Sequence, residues 1–561
     1  MKALYNIPEI CFKLGVTNVV LSPGSRNAPL SLGFSRHSQI QTHIIPDERS
    51  AGYIALGIAQ STRKPVVVCC TSGTAVVNLS PAVTEAFYQK IPLIILTADR
   101  PPELIDQGDG QSVRQTNIFH NHIKKSYQLL SDYETKESKR YAERSISEAI
   151  ILSEDAAKGP VHVNIPLREP FYPSSTEETK PETKVKTIRT YEVAQTLTSN
   201  SWITINNEAK RYDRILVLVG QNYGSVKLTE DLNLPLIPVV AECTANIFSE
   251  ENIIKYHDIF LNNENQVNFQ ALKPDLLITI GEHFISKNLK QFIRQNPPQQ
   301  HWHVGTSKEV ADVFSCLTKI VPVEPEYFFK NLSYEAFSSK FLADWLYQNN
   351  ISKIYVNHFL SNHDFGEFKA IKLLLSEIPN QAKLHFANSM PVRYGNVLPI
   401  HESKKVQTFA NRGTSGIDGS ISTAVGHALA HPEFFNVIIT GDLSFFYDRN
   451  ALWHNYDLKN LRIILLNNHG GGIFKMIPGP KKQPEVEELF VTNQKLNAKN
   501  AANDFGFEYC LVRTEKELNS HISSFFAPSD KPKLLEVESS TDLNTKVYDQ
   551  FRSLKDYGKQ D

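Results

Sequence analysis

RIILLNNHGGGIF, residues 462–474, opens as a strand and closes as something else. Four of the five residues Arg462–Leu466 are aliphatic, the pattern of a strand covered on both faces in a parallel sheet. Asn467 and Asn468 follow, then His469 and the glycines Gly470–Gly472, which let backbone come close to a ligand. The preceding strand, FNVIITGD (435–442), ends on Asp442. A strand–helix–strand crossover, its helix read in DRNALWHNYDLKN (448–460), carries both strand ends to one sheet edge. The 26 residues from Asp442 to Asn468 suit that unit. One carboxylate, one amide oxygen and a backbone carbonyl are too few for a calcium cage. They suit Mg²⁺, which keeps water and phosphate oxygens in its octahedron.

The same rhythm runs along the chain. Strands are expected at 18–22 (NVVLS), 65–71 (PVVVCCT), 92–98 (PLIILTA), 161–166 (VHVNIP), 214–220 (RILVLVG), 234–240 (LPLIPVV) and 275–281 (DLLITIG). Helix-length amphipathic segments separate them, which predicts α/β architecture with doubly wound, mainly parallel sheets. YPSSTEETKPETKVKTIRT (172–190) lacks apolar periodicity and reads as a linker, and VPVEPEYFFKNL (321–332) marks a softer break. Three α/β domains are expected, at 1–180, 190–335 and 345–561. Ligands of such sheets sit beyond the strands' carboxyl ends, at a topological switch point.

Of the 561 residues, 41% are apolar and 21% charged, with a net charge of −1. No global field recruits nucleic acid or an anionic membrane. No run reaches the ~18 apolar residues of a membrane span, and the N-terminus lacks a signal peptide's apolar core. The six cysteines include no C-x-x-C and read as reduced thiols, so a cytoplasmic protein is expected.

The Asp442 and Asn468 motifs together resemble the thiamine-diphosphate signature, G-D-G followed after a crossover by N-N, with Leu443 in place of the last glycine. The resemblance implies pyrimidine-binding, central and diphosphate domains in that order. It also implies Asp442, Asn468 and the Gly470 carbonyl as ligands of Mg²⁺, for which Mn²⁺ can substitute. Gly441, Leu443, Gly471 and Ile473 would flank the diphosphate. The coenzyme's chemistry further demands a desolvated carboxyl group at the pyrimidine N1′. Glu48, in IIPDERSAGYIALGIA (44–59), follows a strand and opens a helix of small residues, with Asp47 as the better N-cap. It is the expected catalytic acid. Thr71, Ser72 and Gly73 would approach the ring, and Ile417 would hold the coenzyme bent. In the family the two ends come from different subunits, which implies a homodimer or homotetramer with active sites at the subunit interface.

Arginines also gather after strands: Arg26 in VLSPGSRNAPL, Arg100 in LTADRPPELIDQGDGQSVRQ, Arg393 in ANSMPVR and Arg412 in FANRGTSGIDG. Guanidinium binds carboxylate bidentately, so the cluster predicts substrates with several carboxylates. SPGSR-x-x-PL, DER, TSGTAV-x-NL, LTADRPPELID and NRG-x-SGIDG together are similar to the 2-succinyl-5-enolpyruvyl-6-hydroxy-3-cyclohexene-1-carboxylate synthase family of menaquinone biosynthesis. That likeness implies decarboxylation of 2-oxoglutarate and 1,4-addition of the resulting succinyl carbanion equivalent to isochorismate, both dicarboxylates. It carries substrate contacts onto Ser25, Arg26, Arg100, Gln111, Ser389, Arg393 and Arg412, with Ile473, Phe474 and Ile477 as an apolar wall. The family's Lys-Arg pair in the middle domain becomes Lys287–Asn288, with Lys290 one turn on.

The nearest rival is another thiamine carboligase or 2-oxoacid decarboxylase of acetohydroxyacid-synthase type. It would share Glu48, Asp442 and Asn468 but has no use for so many arginines. Neither a Walker motif nor a strand-linked G-x-G-x-x-G is present, which disfavours nucleotide hydrolases and dehydrogenases. His120/His122 and His301/His303 have no further ligands at zinc spacing and read as ordinary histidines.

Overall fold

Among the described residues eighteen strands form three six-stranded sheets, every pairing parallel. This computed structural model describes residues 2–173, 179–222, 236–249, 252–263, 266–333, 338–555 and 557–558. The chain packs as two units. One comprises residues 1–193, 411–433 and 446–458; the other comprises 194–410, 434–445 and 459–561.

The first unit holds β1 (Asn18–Leu21), β2 (Gln41–Ile44), β3 (Val66–Cys70), β4 (Leu93–Asp99), β5 (Ser126–Gln128) and β6 (Val161–Pro166). Their order is β2-β1-β3-β4-β6-β5, so the topology switches between β1 and β3. The central strands β3 and β4 are buried at every residue, as their aliphatic runs require. Against this sheet the helix Glu48–Thr62 packs on the helix Ser420–Ala430. Two glycines allow that approach: a Cβ on Gly57 would collide with the Thr423 carbonyl, and one on Gly426 with the Ile54 carbonyl.

The second unit carries two sheets. One contains β7 (Ile215–Val219), β8 (Val239–Ala241), β9 (Ile253–Ile254), β10 (Leu276–Ile280), β11 (Gln300–Val304) and β12 (Lys319–Val321), ordered β12-β11-β10-β7-β8-β9. The other contains β13 (Lys383–Phe386), β14 (Gln407–Phe409), β15 (Asn436–Gly441), β16 (Leu461–Asn467), β17 (Glu508–Val512) and β18 (Lys533–Glu538). Its order, β14-β13-β15-β16-β18-β17, repeats that of the first sheet, with the switch between β13 and β15. One apolar cluster, from Leu216 through Trp345 to Leu535, runs beneath both sheets of this unit. Among the described residues no helix is long and apolar enough to cross a membrane.

Three sequence expectations need correction. The crossover helix does not occupy 448–460: it runs Asp442–Asp448, followed by a 3₁₀ turn at Arg449–Leu452. The Asp448 carboxylate instead accepts from the Ser422 amide and hydroxyl, both at 2.8 Å, which anchors the helix end. The stretch 172–190, of which 174–178 lie outside the described residues, is irregular but not loose. Glu182 donates its N–H to Asn6 Oδ1 (2.9 Å) and pairs with Lys139, and Val185 enters the first unit's core. Of the expected strand 234–240, residues 234 and 235 lie outside the described residues and only its end enters β8.

Candidate active site

In the first unit the site is built from loops at the switch point. Asp47 caps the helix Glu48–Thr62: its Oδ1 accepts from the amides of Arg49 (2.9 Å) and Ser50 (3.2 Å) and its Oδ2 from Asn450 (2.8 Å). Capping is thereby complete without Glu48, whose half-buried carboxylate is left for other work. Asn78 donates to Glu48 Oε2 at 3.4 Å. Burial above all, then the neighbouring Cys69 thiol and Glu48 carboxylate, pushes the Cys70 thiol upward.

Thr71, Ser72 and Gly73 continue from that end, the first two buried. Gly73 has φ +85° and ψ −138°, a region strained for a residue with a side chain, and its N–H donates to Gln115 Oε1 at 3.0 Å. A Cβ there would stand 2.9–3.0 Å from the Gln111 backbone. Arg100 locks the same loops, donating from Nη1 to Ser72 Oγ (3.1 Å) and to the Gln111 carbonyl (2.6 Å). Arg26, after β1, donates to the Leu167 carbonyl (3.0 Å) and lies over the Phe171 ring. Burial, then the nearby positive charge of Arg100, lowers its pKa. Ser25 accepts from the Tyr172 hydroxyl at 3.4 Å. Ser25, Arg26, Ser72, Arg100 and Gln111 thus share one loop cluster.

Arg412 and Ile417 belong to the same unit. The 411–418 loop is tied down by buried Glu85, which accepts from the amides of Gly413 (2.8 Å) and Thr414 (2.7 Å), and by Asp418, which accepts from the Tyr53 hydroxyl (2.7 Å). Ile417 is 45% exposed, an apolar side chain presented outward.

In the second unit β15 and β16 are direct neighbours, Gly441 pairing with Leu466, so Asp442 and Asn468 leave one sheet edge together. Asp442 is buried, its Oδ2 accepting from Gln494 Nε2 at 2.7 Å, and burial raises its pKa above the ordinary carboxylate value. Asn468 donates from Nδ2 to Glu367 Oε1 at 2.6 Å, while its Oδ1 is buried and accepts no hydrogen bond from any described residue. The Gly470 carbonyl accepts from the Gly472 amide at 3.0 Å and keeps a second lone pair. These three oxygens fit a hard divalent cation that retains water and phosphate ligands. A covering segment follows: Gly471 N–H donates to the Val491 carbonyl (2.7 Å), and Phe474 lies near Phe490. Gly441, Leu443, Ile473, Phe474 and Ile477 are half-buried around this loop.

Ser389 and Arg393 follow β13, across the switch point from Asp442. Ser389 has φ +74° ahead of the helix Met390–Val397, a strain of the kind that persists where surroundings impose it. Arg393 is half-buried, and its Nε is buried with no partner among the described residues. Glu367, Gln494 and Thr541, which the sequence reading missed, touch Asn468, Asp442 and Asn468 from 101, 52 and 73 residues away along the chain.

Three family models match the chain: Thiamine pyrophosphate enzyme, N-terminal TPP binding domain, over residues 2–123; Middle domain of thiamine pyrophosphate, over 216–386; and Thiamine pyrophosphate enzyme, C-terminal TPP binding domain, over 393–537. The crystal structure of benzoylformate decarboxylase from Polynucleobacter necessarius superposes with a TM-score of 0.71 at 18% identity, over 96% of this chain and 99% of that one, a likeness of fold. The 2-succinyl-5-enolpyruvyl-6-hydroxy-3-cyclohexene-1-carboxylate synthase of Cytophaga hutchinsonii is 45% identical over 98% of both chains. The chain belongs to this synthase family. Proteins of the same name from Flavobacterium johnsoniae and Bacteroides thetaiotaomicron are 38% and 36% identical, the first over 97% of both chains, the second over 97% of this chain and 96% of its own.

In the middle sheet's loops the Lys-Arg pair that the resemblance implies reads Lys287–Asn288. Lys287 is exposed at the start of the helix Lys287–Gln295. Asn288 does not replace the missing charge: its Nδ2 donates to the Asp258 carbonyl at 2.7 Å and holds neighbouring backbone. Of the histidine pairs, His301 and His303 share the Thr279 hydroxyl (2.9 and 3.1 Å), a structural arrangement.

Proposed function

We propose that this chain decarboxylates 2-oxoglutarate and adds the resulting four-carbon unit to isochorismate, with thiamine diphosphate and Mg²⁺ as cofactors. The product is 2-succinyl-5-enolpyruvyl-6-hydroxy-3-cyclohexene-1-carboxylate, an intermediate of menaquinone biosynthesis. Thiamine diphosphate, when bound, supplies the electron sink that makes loss of CO₂ and carbon–carbon bond formation accessible. The chain's residues bind, orient and neutralise. Glu48 holds a proton at the pyrimidine N1′. Asp442, Asn468 and the Gly470 carbonyl hold the cation on the diphosphate. Arg26, Arg100, Arg393 and Arg412, with Ser25, Gln111 and Ser389, grip the substrate carboxylates. Ile473, Phe474 and Ile477 keep water from the reacting centre.

One observation supports this reading: in both repeated sheets a Ser- and Arg-bearing loop proposed to bind carboxylate lies across the switch point from a loop proposed to bind the coenzyme. Ser25 and Arg26 follow β1 beside Thr71–Gly73 after β3, and Ser389 and Arg393 follow β13 beside Asp442 after β15. A pyruvate carboligase needs the coenzyme residues and not the arginines.

Active sites shared between protomers of a homodimer or homotetramer belong to the same proposal. Ile44, Val77, Ile417, Tyr447 and Trp453 of the first unit, each 45–55% exposed, support it as apolar surface for a partner chain to cover. A cytoplasmic location completes the reading. The experiment is a comparison of Arg393→Ala and Arg412→Ala with the parent protein. Both variants should bind thiamine diphosphate normally and raise the KM of a dicarboxylate substrate at least tenfold. Pyruvate turned over faster than 2-oxoglutarate would favour the acetohydroxyacid-synthase-like alternative.

A further inference from the structure

We propose that Glu367 is a positioning residue that commits the Asn468 amide oxygen to the cation. The proposal rests on the reading of Asp442 and Asn468 as cation ligands. An asparagine amide presents either a carbonyl oxygen or an NH₂ group, and a half-turn about its last torsion exchanges them. A cation accepts only the oxygen. Something must therefore fix the orientation before the ion arrives.

Glu367 is built to do this. It opens the helix Glu367–Glu377, is 1% exposed, and takes the Asn468 Nδ2 hydrogen bond at 2.6 Å. With Oε1 accepting from Nδ2 at that distance, the reversed amide would set its oxygen against a carboxyl oxygen and lose the hydrogen bond. The opposite amide atom, Oδ1, accepts nothing from any described residue although it is buried. A buried orphan acceptor at a strand end, held outward by a buried hydrogen-bond partner, is complementary to a cation.

The carboxylate is itself held. The Glu367 amide donates to Asn544 Oδ1 (3.1 Å), Asn544 Nδ2 donates to Ser539 Oγ (2.9 Å), and the Tyr394 hydroxyl donates to Glu367 Oε2 (3.4 Å). Tyr394 stacks on Phe368, centroids 5.1 Å apart. Thr541 Oγ1 donates to the Asn468 carbonyl at 2.8 Å, fixing the backbone on the other side.

The test is a Mg²⁺ titration of thiamine-diphosphate binding, followed by circular dichroism, alongside thermal melting of the metal-free protein. Glu367→Gln should weaken the apparent Mg²⁺ affinity about 10- to 100-fold, the usual loss when a ligand's orienting partner is removed. Metal-free melting should shift little. The exchanged pair, Glu367→Gln with Asn468→Asp, should recover most of the affinity. There the new amide donates to one carboxylate oxygen and leaves the other for the ion. Unchanged affinity in Glu367→Gln, or a loss that the exchanged pair does not recover while melting is preserved, overturns the proposal. Should Glu367→Gln not fold, Glu367→Asp withdraws the acceptor by one methylene and must still lower the affinity severalfold; unchanged affinity again overturns it. A parent protein that binds thiamine diphosphate equally with and without Mg²⁺ defeats the cation reading instead, a result distinct from a Mg²⁺-responsive parent matched by its variant.

Discussion

Replacing Gly73 with alanine adds one methyl group where three loops meet. At φ +85° and ψ −138° the backbone occupies a region that costs a residue with a side chain about 1–3 kcal/mol. The new Cβ would sit 2.9 Å from Gln111 Cα and 3.0 Å from its carbonyl carbon and oxygen, all backbone, so no side-chain rotation relieves it. Relief requires moving Gln111 or the Gly73 peptide, which strains the Gly73 N–H···Gln115 bond, a net contribution of about 1 kcal/mol. The sum is about 3 kcal/mol, roughly a 150-fold change in an equilibrium constant. Gln111 also supplies the carbonyl that Arg100 grips, so the displacement reaches Arg100, the arginine proposed to hold substrate. Urea unfolding of the variant should therefore lose about 3 kcal/mol. Steady-state kinetics should show a KM for dicarboxylate substrate raised more than the cofactor's dissociation constant. Stability within ~0.5 kcal/mol of the parent and an unchanged KM would refute the reasoning, because the loops would then have room that the geometry denies.

Further expectations concern the coenzyme and acid stability. Glu48→Gln should retain thiamine diphosphate while slowing hydrogen–deuterium exchange at its C2 position by orders of magnitude; exchange at the parent rate, read by NMR, would remove Glu48 from the chemistry. Asp442→Ala should abolish Mg²⁺-dependent retention of the cofactor through gel filtration, and retention at parental level would count against Asp442 as a ligand. Acid should destabilise the fold through its buried histidines. His162 and His385 are lowered to about 3 and His43, His301 and His454 to about 4, all chiefly by burial. Each binds its proton more readily unfolded, so its contribution is full above the unfolded value of 6.5 and is lost as pH falls from there towards 4 and 3. At pH 5 the loss is about 2 kcal/mol per histidine. Asp448, raised to about 6 by burial, acts in the opposite sense, its stabilisation fading as pH rises from 4 to 6. A melting temperature that climbs steeply from pH 4 to 6.5, with a shallower climb in His162→Gln, is the expected result; a flat profile would exclude the histidines as its cause.

The sheets were legible where a central strand is an unbroken apolar run; the central strands Gln300–Val304 and Lys533–Glu538, interrupted by His301, His303 and Glu536, were not. VVVCC, LIILTAD, ILVLV, LLITI and LRIILLN are buried at every residue, and their unbroken apolar runs announce it. Edge strands were not. Ile253–Ile254 and Ser126–Gln128 are two and three residues long, too short to show a period, and pairing with a neighbour alone defines them. Site residues in loops after central strands could be read because their strands could. Asp442 and Asn468 emerge together since β15 and β16 pair, a consequence of crossover length. Glu367 was illegible: 101 residues separate it from Asn468, and a glutamate at a helix start has the ordinary explanation of the helix dipole. The crossover helix was misplaced because DRNALWHNYDLKN contains apolar residues at helical spacing, whereas the Asp448 carboxylate is engaged by Ser422 and ends the helix there.

The most direct measurement follows ¹⁴CO₂ released from [1-¹⁴C]2-oxoglutarate together with the disappearance of isochorismate. With thiamine diphosphate and Mg²⁺ both present, the two should run one to one and stop when either cofactor is withheld. Release of CO₂ without isochorismate consumption, or turnover indifferent to the cofactors, would contradict the account.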